Sequence, residues 1–337
     1  MGDDVRNLRV QSIVKSILVY GVILGSGWGL GCTGGGISSS EPIWEDTPNL
    51  CRDGVDNDDD GKVDCADPDC RDVYVCTAAD GGDMDSETET GIGPVPEEIW
   101  ARIISNNLEF GEDDGDPTLA PAHMVLVRTF EIMRTEVTVA MYQECVEAGA
   151  CAALSDDTYC ASEAYTAIVE SDPERYPMNC VSWYQASDFC AWFDARLPSE
   201  KEWEKAARGN SDNLYPWGDD EPSCALAVID DGIESDTGCG LGHPAPVCSK
   251  GTMWFQMCDV VGNVAEWMED DMHPSYEGSP PNGVAWIDEP RGEGRMVRGG
   301  AYYDPPGITS RTRMWCVPDE GCDISDEMDG YGFRCAR

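Results

Sequence analysis

Seventeen cysteines constrain this chain more than any other feature, because an odd number cannot close wholly into disulfides of its own. Setting Cys32 aside leaves sixteen: four within residues 51–76 and twelve within residues 145–335. Both groups are even, so each segment can form its own disulfides in an oxidising compartment. No Cys-x-x-Cys pair occurs, which argues against a cysteine-held metal cluster. The spacing leaves the connectivity open.

Cys32 has a separate explanation. Arg6, Arg9 and Lys15 precede the apolar residues 17–24, a run too short to span a bilayer. Gly29-Leu30-Gly31 then leads into Cys32, and small residues before a cysteine resemble a bacterial lipobox. The expectation is an exported lipoprotein of the bacterial cell envelope, with residues 1–32 as signal and Cys32 carrying lipid. Contact with the membrane would come only through that anchor. The formal charge of −43 excludes nucleic acid as a partner and suits cations, calcium above all.

Residues 33–50 read as a flexible linker rich in Gly, Ser and Thr. Residues 51–76 follow, with nine Asp against three basic residues. Within them Asp56, Asp58, Asp60, Asp64 and Asp67 stand at loop positions 1, 3, 5, 9 and 12 of an EF-hand-type pattern, with Gly61 at position 6. Side chains at alternate positions converge on one centre, and the carbonyl of Lys62 supplies a backbone oxygen. The pattern predicts a structural calcium in a cysteine-stapled module; an acidic, disulfide-closed turn is the alternative. Residues 77–102 are acidic and poor in apolar groups, so they read as a disordered linker.

The globular domain is expected over residues 103–337, where eleven Trp in the whole chain and 41% hydrophobic residues support a core. Residues 124–127 and 130–133 are strand candidates. Thr138 precedes a helical pattern that places Val139, Tyr142 and Val146 on one face. Residues 182–194 repeat Trp183, Ala186, Cys190 and Phe193 at helical spacing. Ser199 and Glu202 form a capping box for a third helix that turns Trp203, Ala206 and Ala207 inward and stops at Gly209. Beyond it the chain is rich in Gly, Pro, Asp and Trp, with short strands only. Such a segment needs fixed points other than helices, and disulfides or ions supply them. His123, His243 and His273 stand far apart, without metal-ligand spacing.

Several motifs then fall into a known order. They are Thr135-Glu136-Val137-Thr138, Val181-Ser182-Trp183, Arg196-Leu197-Pro198-Ser199-Glu200-Lys201-Glu202-Trp203 and Tyr215-Pro216-Trp217-Gly218. Gly262-Asn263-Val264-Ala265-Glu266-Trp267, Arg298-Gly299-Gly300-Ala301 and Gly332-Phe333-Arg334-Cys335 complete them. Together they resemble the formylglycine-generating enzyme, or sulfatase-modifying factor, family. The resemblance implies an α+β fold of C-type-lectin-like type, with two main helices and much irregular structure. It implies a disulfide between Cys190 and Cys335, and a calcium site at Asp259, Glu266 and the carbonyls of Gly262 and Val264.

The family oxidises a cysteine of sulfatases to formylglycine with Cu(I) held by two thiols. In this sequence the thiol positions are Asp304 and Thr309, and neither can hold Cu(I) as a soft thiolate does. The domain is therefore expected to be a pseudoenzyme, without copper, acting as a binding module for a protein or glycan. Tyr302, Tyr303, Asp304, Arg311, Arg313 and Trp315 are the candidate ligand groove, mixing the aromatic and cationic contacts common in recognition sites. The same residues could equally be scaffold. The alternative is an oxidase with relocated thiols, or other chemistry on the same scaffold.

Overall fold

Serine caps begin two of the helices, and their positions follow from local chemistry. The computed structural model describes residues 99–337 except 114, 156–167, 210 and 234–236. Cys32, the loop from Asp56 to Asp67 and both linkers lie outside the described residues.

Helix α1 (Val139–Glu147) starts at Thr138, whose side chain accepts the Met141 N–H. Helices α2 (Trp183–Trp192) and α3 (Glu200–Arg208) start at Ser182 and Ser199, each closing a reciprocal capping box with Gln185 or Glu202. Gly209 ends α3 with a φ of +60°, a conformation costly for any residue with a Cβ. The three helices are of similar length, whereas the family resemblance implied two main ones.

The strands are short. β1 (Trp100–Ile103) pairs antiparallel with β4 (Phe130–Met133), and β2 (Asn106–Phe110) with β3 (His123–Val127). β1 thus begins ahead of the boundary expected at Ile103. A four-stranded sheet has the order β7-β6-β5-β8, built from β5 (Ala265–Asp271), β6 (Arg295–Arg298), β7 (Met314–Cys316) and β8 (Tyr331–Gly332). β8 is the parallel member, reached after the long excursion from β7. The chain then returns to β4, where the Met133 N–H donates to the Cys335 carbonyl at 2.9 Å.

Two apolar clusters fill the interior. One surrounds α2, with Phe189, Leu197, Trp267 and Phe333. The other surrounds α3, with Trp203, Ala206, Ile103, Val125 and Met296. Disulfides Cys145–Cys151, Cys190–Cys335, Cys224–Cys239, Cys248–Cys258 and Cys316–Cys322 staple the irregular parts. Cys180 is also disulfide-bonded.

All nine residues of α3 are buried, including Glu200, Lys201, Glu204 and Arg208. That is unusual for a sequence of such charge, since a buried ion needs a partner to offset its lost hydration. The partners come from other elements. Glu200 receives Arg313 at 2.7 Å, and Glu204 receives Arg298 at 2.5 Å and Arg208 at 2.8 Å. Burial pushes the Glu200 carboxyl up, but Arg313 and Arg298 outweigh it and hold the group below the usual carboxylate range.

Candidate functional site

The turn after β6 leads into Asp304 and Thr309, which stand at the family's two thiol positions. Gly299 and Gly300 hold φ of +88° and +74°, and a Cβ on Gly300 would meet Ile308 at 3.0 Å. Arg298 fixes the far side of the loop. Its Nη1 donates to the carbonyls of Arg311 and Thr312 at 2.8 and 3.0 Å, and its Nη2 to that of Ser310 at 3.1 Å. The guanidinium also lies 5.3 Å from the Trp203 ring centre. The loop is therefore tied to the buried helix α3 through one side chain.

Asp304 folds back on its own turn. Its Oδ2 accepts the Ala301 N–H at 2.8 Å, while its backbone N–H donates to the Ala301 carbonyl at 3.0 Å. Burial raises the Asp304 carboxyl above its ordinary range, and the Ala301 N–H counters only part of that. Thr309 is likewise engaged. Its Oγ1 accepts the Arg311 N–H at 3.1 Å and lies 3.2 Å from Thr312 Oγ1. Between them Pro305, Pro306 and Gly307 are exposed.

Two tyrosines line the inner side of this loop, and both are held by a residue that sequence reasoning missed. Tyr302 Oη donates to Asp329 Oδ2 at 2.7 Å, and Tyr303 Oη to the Asp329 carbonyl at 2.9 Å. Asn179 Nδ2 completes the set by donating to Asp329 Oδ1 at 2.8 Å. The rings meet edge to face with centroids 5.0 Å apart. Burial pushes the Tyr303 phenol far above its usual value, so it stays a neutral donor. Asp329 stands in an acidic stretch with Asp323, Asp326 and Glu327, where one carboxylate has no distinguishing sequence signal.

The other expected groove residues do not join this group. Arg313 is buried and clamps Glu200 through Nε and Nη2 at 2.7 and 3.1 Å, with Nη1 on the Thr118 carbonyl at 2.8 Å. Its guanidinium stacks 4.2 Å from the Tyr276 ring centre. Every edge of Arg313 is thus committed to scaffold, which corrects its assignment as a ligand contact. Trp315 donates from Nε1 to Glu320 at 3.0 Å. Arg311 reaches the carbonyl of Asp212 at 3.2 Å and remains partly exposed at the rim of the loop.

The carboxylates expected to hold calcium, Asp259 and Glu266, both have partners within the protein. Glu266 is fully buried, and Arg334 occupies both of its oxygens at 2.7 Å while Trp203 Nε1 donates at 2.8 Å. The Arg334 guanidinium is the positive charge that Glu266 faces. The Gly262 N–H donates to the Gly299 carbonyl at 2.9 Å, and Val264 is fully buried. Asp259 accepts the Cys248 N–H at 2.6 Å, and burial pushes its carboxyl up to about 6. Glu136 beside it is raised well above the usual range, first by burial and then by the Asp259 charge. No group of three or more His, Cys, Asp or Glu able to hold a metal exists among the described residues.

Every cysteine among the described residues is disulfide-bonded, so the described part of the domain presents no thiolate. The histidines serve structure: the Nδ1 atoms of His123, His243 and His273 lie 3.0, 2.7 and 2.9 Å from the carbonyls of Pro121, Pro244 and Asp271.

What fold and site define is a disulfide-stapled α+β domain built around an Arg-Gly-Gly turn, with the Asp304 carboxylate and the Thr309 hydroxyl engaged in the loop that follows. Residues 88–337 match the sulfatase-modifying factor enzyme 1-like domain, and the chain belongs to that family. It is 31% identical over 182 residues to the formylglycine-generating enzyme of Thermomonospora curvata, covering 49% of this chain and 57% of that one. It is 30% identical to the hercynine oxygenase of Mycobacterium tuberculosis over 59% of this chain and 51% of that one. The chain thus spans about half the length of these curated relatives. Among solved structures, PvdO from Pseudomonas aeruginosa matches with a TM-score of 0.57 and 26% identity, over 71% of this chain and 93% of that one.

Proposed function

We propose that this protein is an exported, lipid-anchored member of the family that does not run copper–thiol oxidation and uses the domain for recognition. The observation that carries this reading is the state of the two thiol positions. Asp304 closes the turn at Ala301, and Thr309 caps the segment leading to Arg311. Both side chains serve the loop that the family's chemistry would require them to leave free. Relocated thiols find no support, since the described cysteines are paired.

In this reading the loop is displayed in the C-type-lectin manner. Its inner side is fixed by Tyr302, Tyr303 and Asp329, its outer side is the exposed Pro305-Pro306-Gly307, and Arg311 lies at its rim. A rigid loop with a cationic edge loses little entropy on binding a protein or glycan. The calcium loop from Asp56 to Asp67 belongs to the same proposal as a structural module between anchor and domain.

The test uses the full chain with Cu(I) and a cysteine-bearing peptide of the sulfatase type, followed by mass spectrometry. No loss of the peptide thiol is expected. Turnover to the aldehyde would overturn the reading.

A further inference from the structure

Helix α3 carries a buried lysine that the recognition reading does not use. Lys201 is buried, at 2% exposure, and its Nζ lies 2.5 Å from Ser279 Oγ while also donating to the Pro280 carbonyl. Both contacts are neutral. The neighbouring acids are engaged elsewhere: Glu200 with Arg313, and Asp270 with the N–H groups of Glu200 and Trp286, each at 2.8 Å. Lys201 forms no ion pair among the described residues.

An ammonium buried against neutral partners gives up its proton more readily than one in water. Burial accordingly pushes Lys201 down to about 8, against the opposing charges of Asp270 and Glu200. Ser279 itself is only half-buried. The side toward Gly278 is open, for a Cβ there would meet nothing nearer than Trp286 at 3.8 Å. A nucleophile, a base within hydrogen-bond reach and a third group orienting the base, here the Pro280 carbonyl, are the parts of an activated serine.

We propose that Ser279 and Lys201 form a serine–lysine dyad that takes an acyl group from an ester or amide. Neutral Lys201 Nζ accepts the Ser279 proton as Oγ forms a bond to the acyl carbon. The bond from that carbon to the leaving oxygen or nitrogen breaks, and the leaving group receives the proton from Nζ. Water then attacks the acyl-serine with Nζ again accepting a proton, the ester bond to Oγ breaks, and Oγ is reprotonated as the carboxylic acid departs. The assignment stands apart from the recognition loop, and neither reading depends on the other.

The experiment treats the full chain with a fluorophosphonate, in which Oγ bonds to phosphorus and fluoride leaves, and maps the label by peptide mass spectrometry. Label is expected at Ser279, with a rate rising roughly a hundredfold between pH 6 and 9 as the amine loses its proton. Ser279→Ala should abolish it. Lys201→Arg keeps the charge but cannot act as base, and should slow labelling by about a hundredfold. Absence of label at Ser279, or an undiminished rate in Lys201→Arg, overturns the dyad. Should Lys201→Arg not fold, the parent's pH profile decides, and a flat profile overturns the proposal.

Discussion

Removing the Cys190–Cys335 disulfide should destabilise this domain far more than removing Cys316–Cys322, although the two pairs are similarly buried. The first joins positions 145 residues apart and the second positions 6 apart. A cross-link acts mainly by restricting the unfolded chain, with an entropy that grows as the logarithm of loop length. That gives about 5 kcal/mol for the long loop and about 2 kcal/mol for the short one. The disulfides nested inside the long loop span 15, 10 and 6 residues, too few to change its logarithm appreciably. Replacing both cysteines of a pair by Ala leaves comparable small cavities in either case, so the difference of about 3 kcal/mol isolates the loop contribution. For a domain of this size it corresponds to a gap in Tm of roughly 6–12 °C. Calorimetry of Cys190→Ala/Cys335→Ala beside Cys316→Ala/Cys322→Ala measures it. Equal midpoints, or a lower one for the short-loop variant, would refute the argument.

Further expectations concern buried charge and backbone. Glu200→Gln removes the partner of two buried guanidinium groups and should cost about 3–5 kcal/mol at neutral pH in a denaturant titration. Because Arg313 and Arg298 hold the Glu200 carboxyl below its usual range, its contribution is present above the unfolded pKa and is lost as pH falls through the folded value. Asp270 behaves oppositely: burial, then the Glu200 charge, raises it to about 7, so the folded state keeps a proton that the unfolded chain releases near pH 4. Stability from this group should fall between pH 4 and 7 and level off above. A parent-minus-Asp270→Asn difference that stays constant over that window contradicts it. Gly262→Ala places a Cβ 2.2 Å from the Val228 carbonyl oxygen at a φ of +78°. More than about 1 kcal/mol should be lost, and an unchanged midpoint would show that the turn relaxes freely. Asp304→Cys with Thr309→Cys restores two thiolate donors and should raise Cu(I) affinity at least about tenfold in a chelator competition. Equal affinity in parent and variant would mean that the parent holds the ion by other groups.

The sequence by itself determined the local elements and which residues stand at the two thiol positions of the family. Thr138, Ser182 and Ser199 are caps because their side chains accept N–H groups three residues ahead, an interaction contained within one turn of chain. The Asp304 and Thr309 substitutions are equally local facts. The Cys190–Cys335 link was implied by family resemblance, and the structure forms it.

What tertiary structure decided are the partners of charged residues. Arg313 looked like a ligand contact, yet its partner Glu200 lies 113 positions away. Glu266 was expected as a calcium ligand, and its charge partner in the fold, Arg334, lies 68 residues further on. Asp329 gained its role only when Tyr302, Tyr303 and Asn179 converged on it. Helical spacing turned Trp203, Ala206 and Ala207 of α3 inward, but all nine of its residues are buried, because guanidinium groups from β6 and the approach to β7 meet its carboxylates. Capping is a short-range hydrogen bond that the chain encodes in neighbouring residues. The neutralisation of a buried charge depends on which distant residue the fold brings within about 3 Å, and no spacing along the chain specifies that.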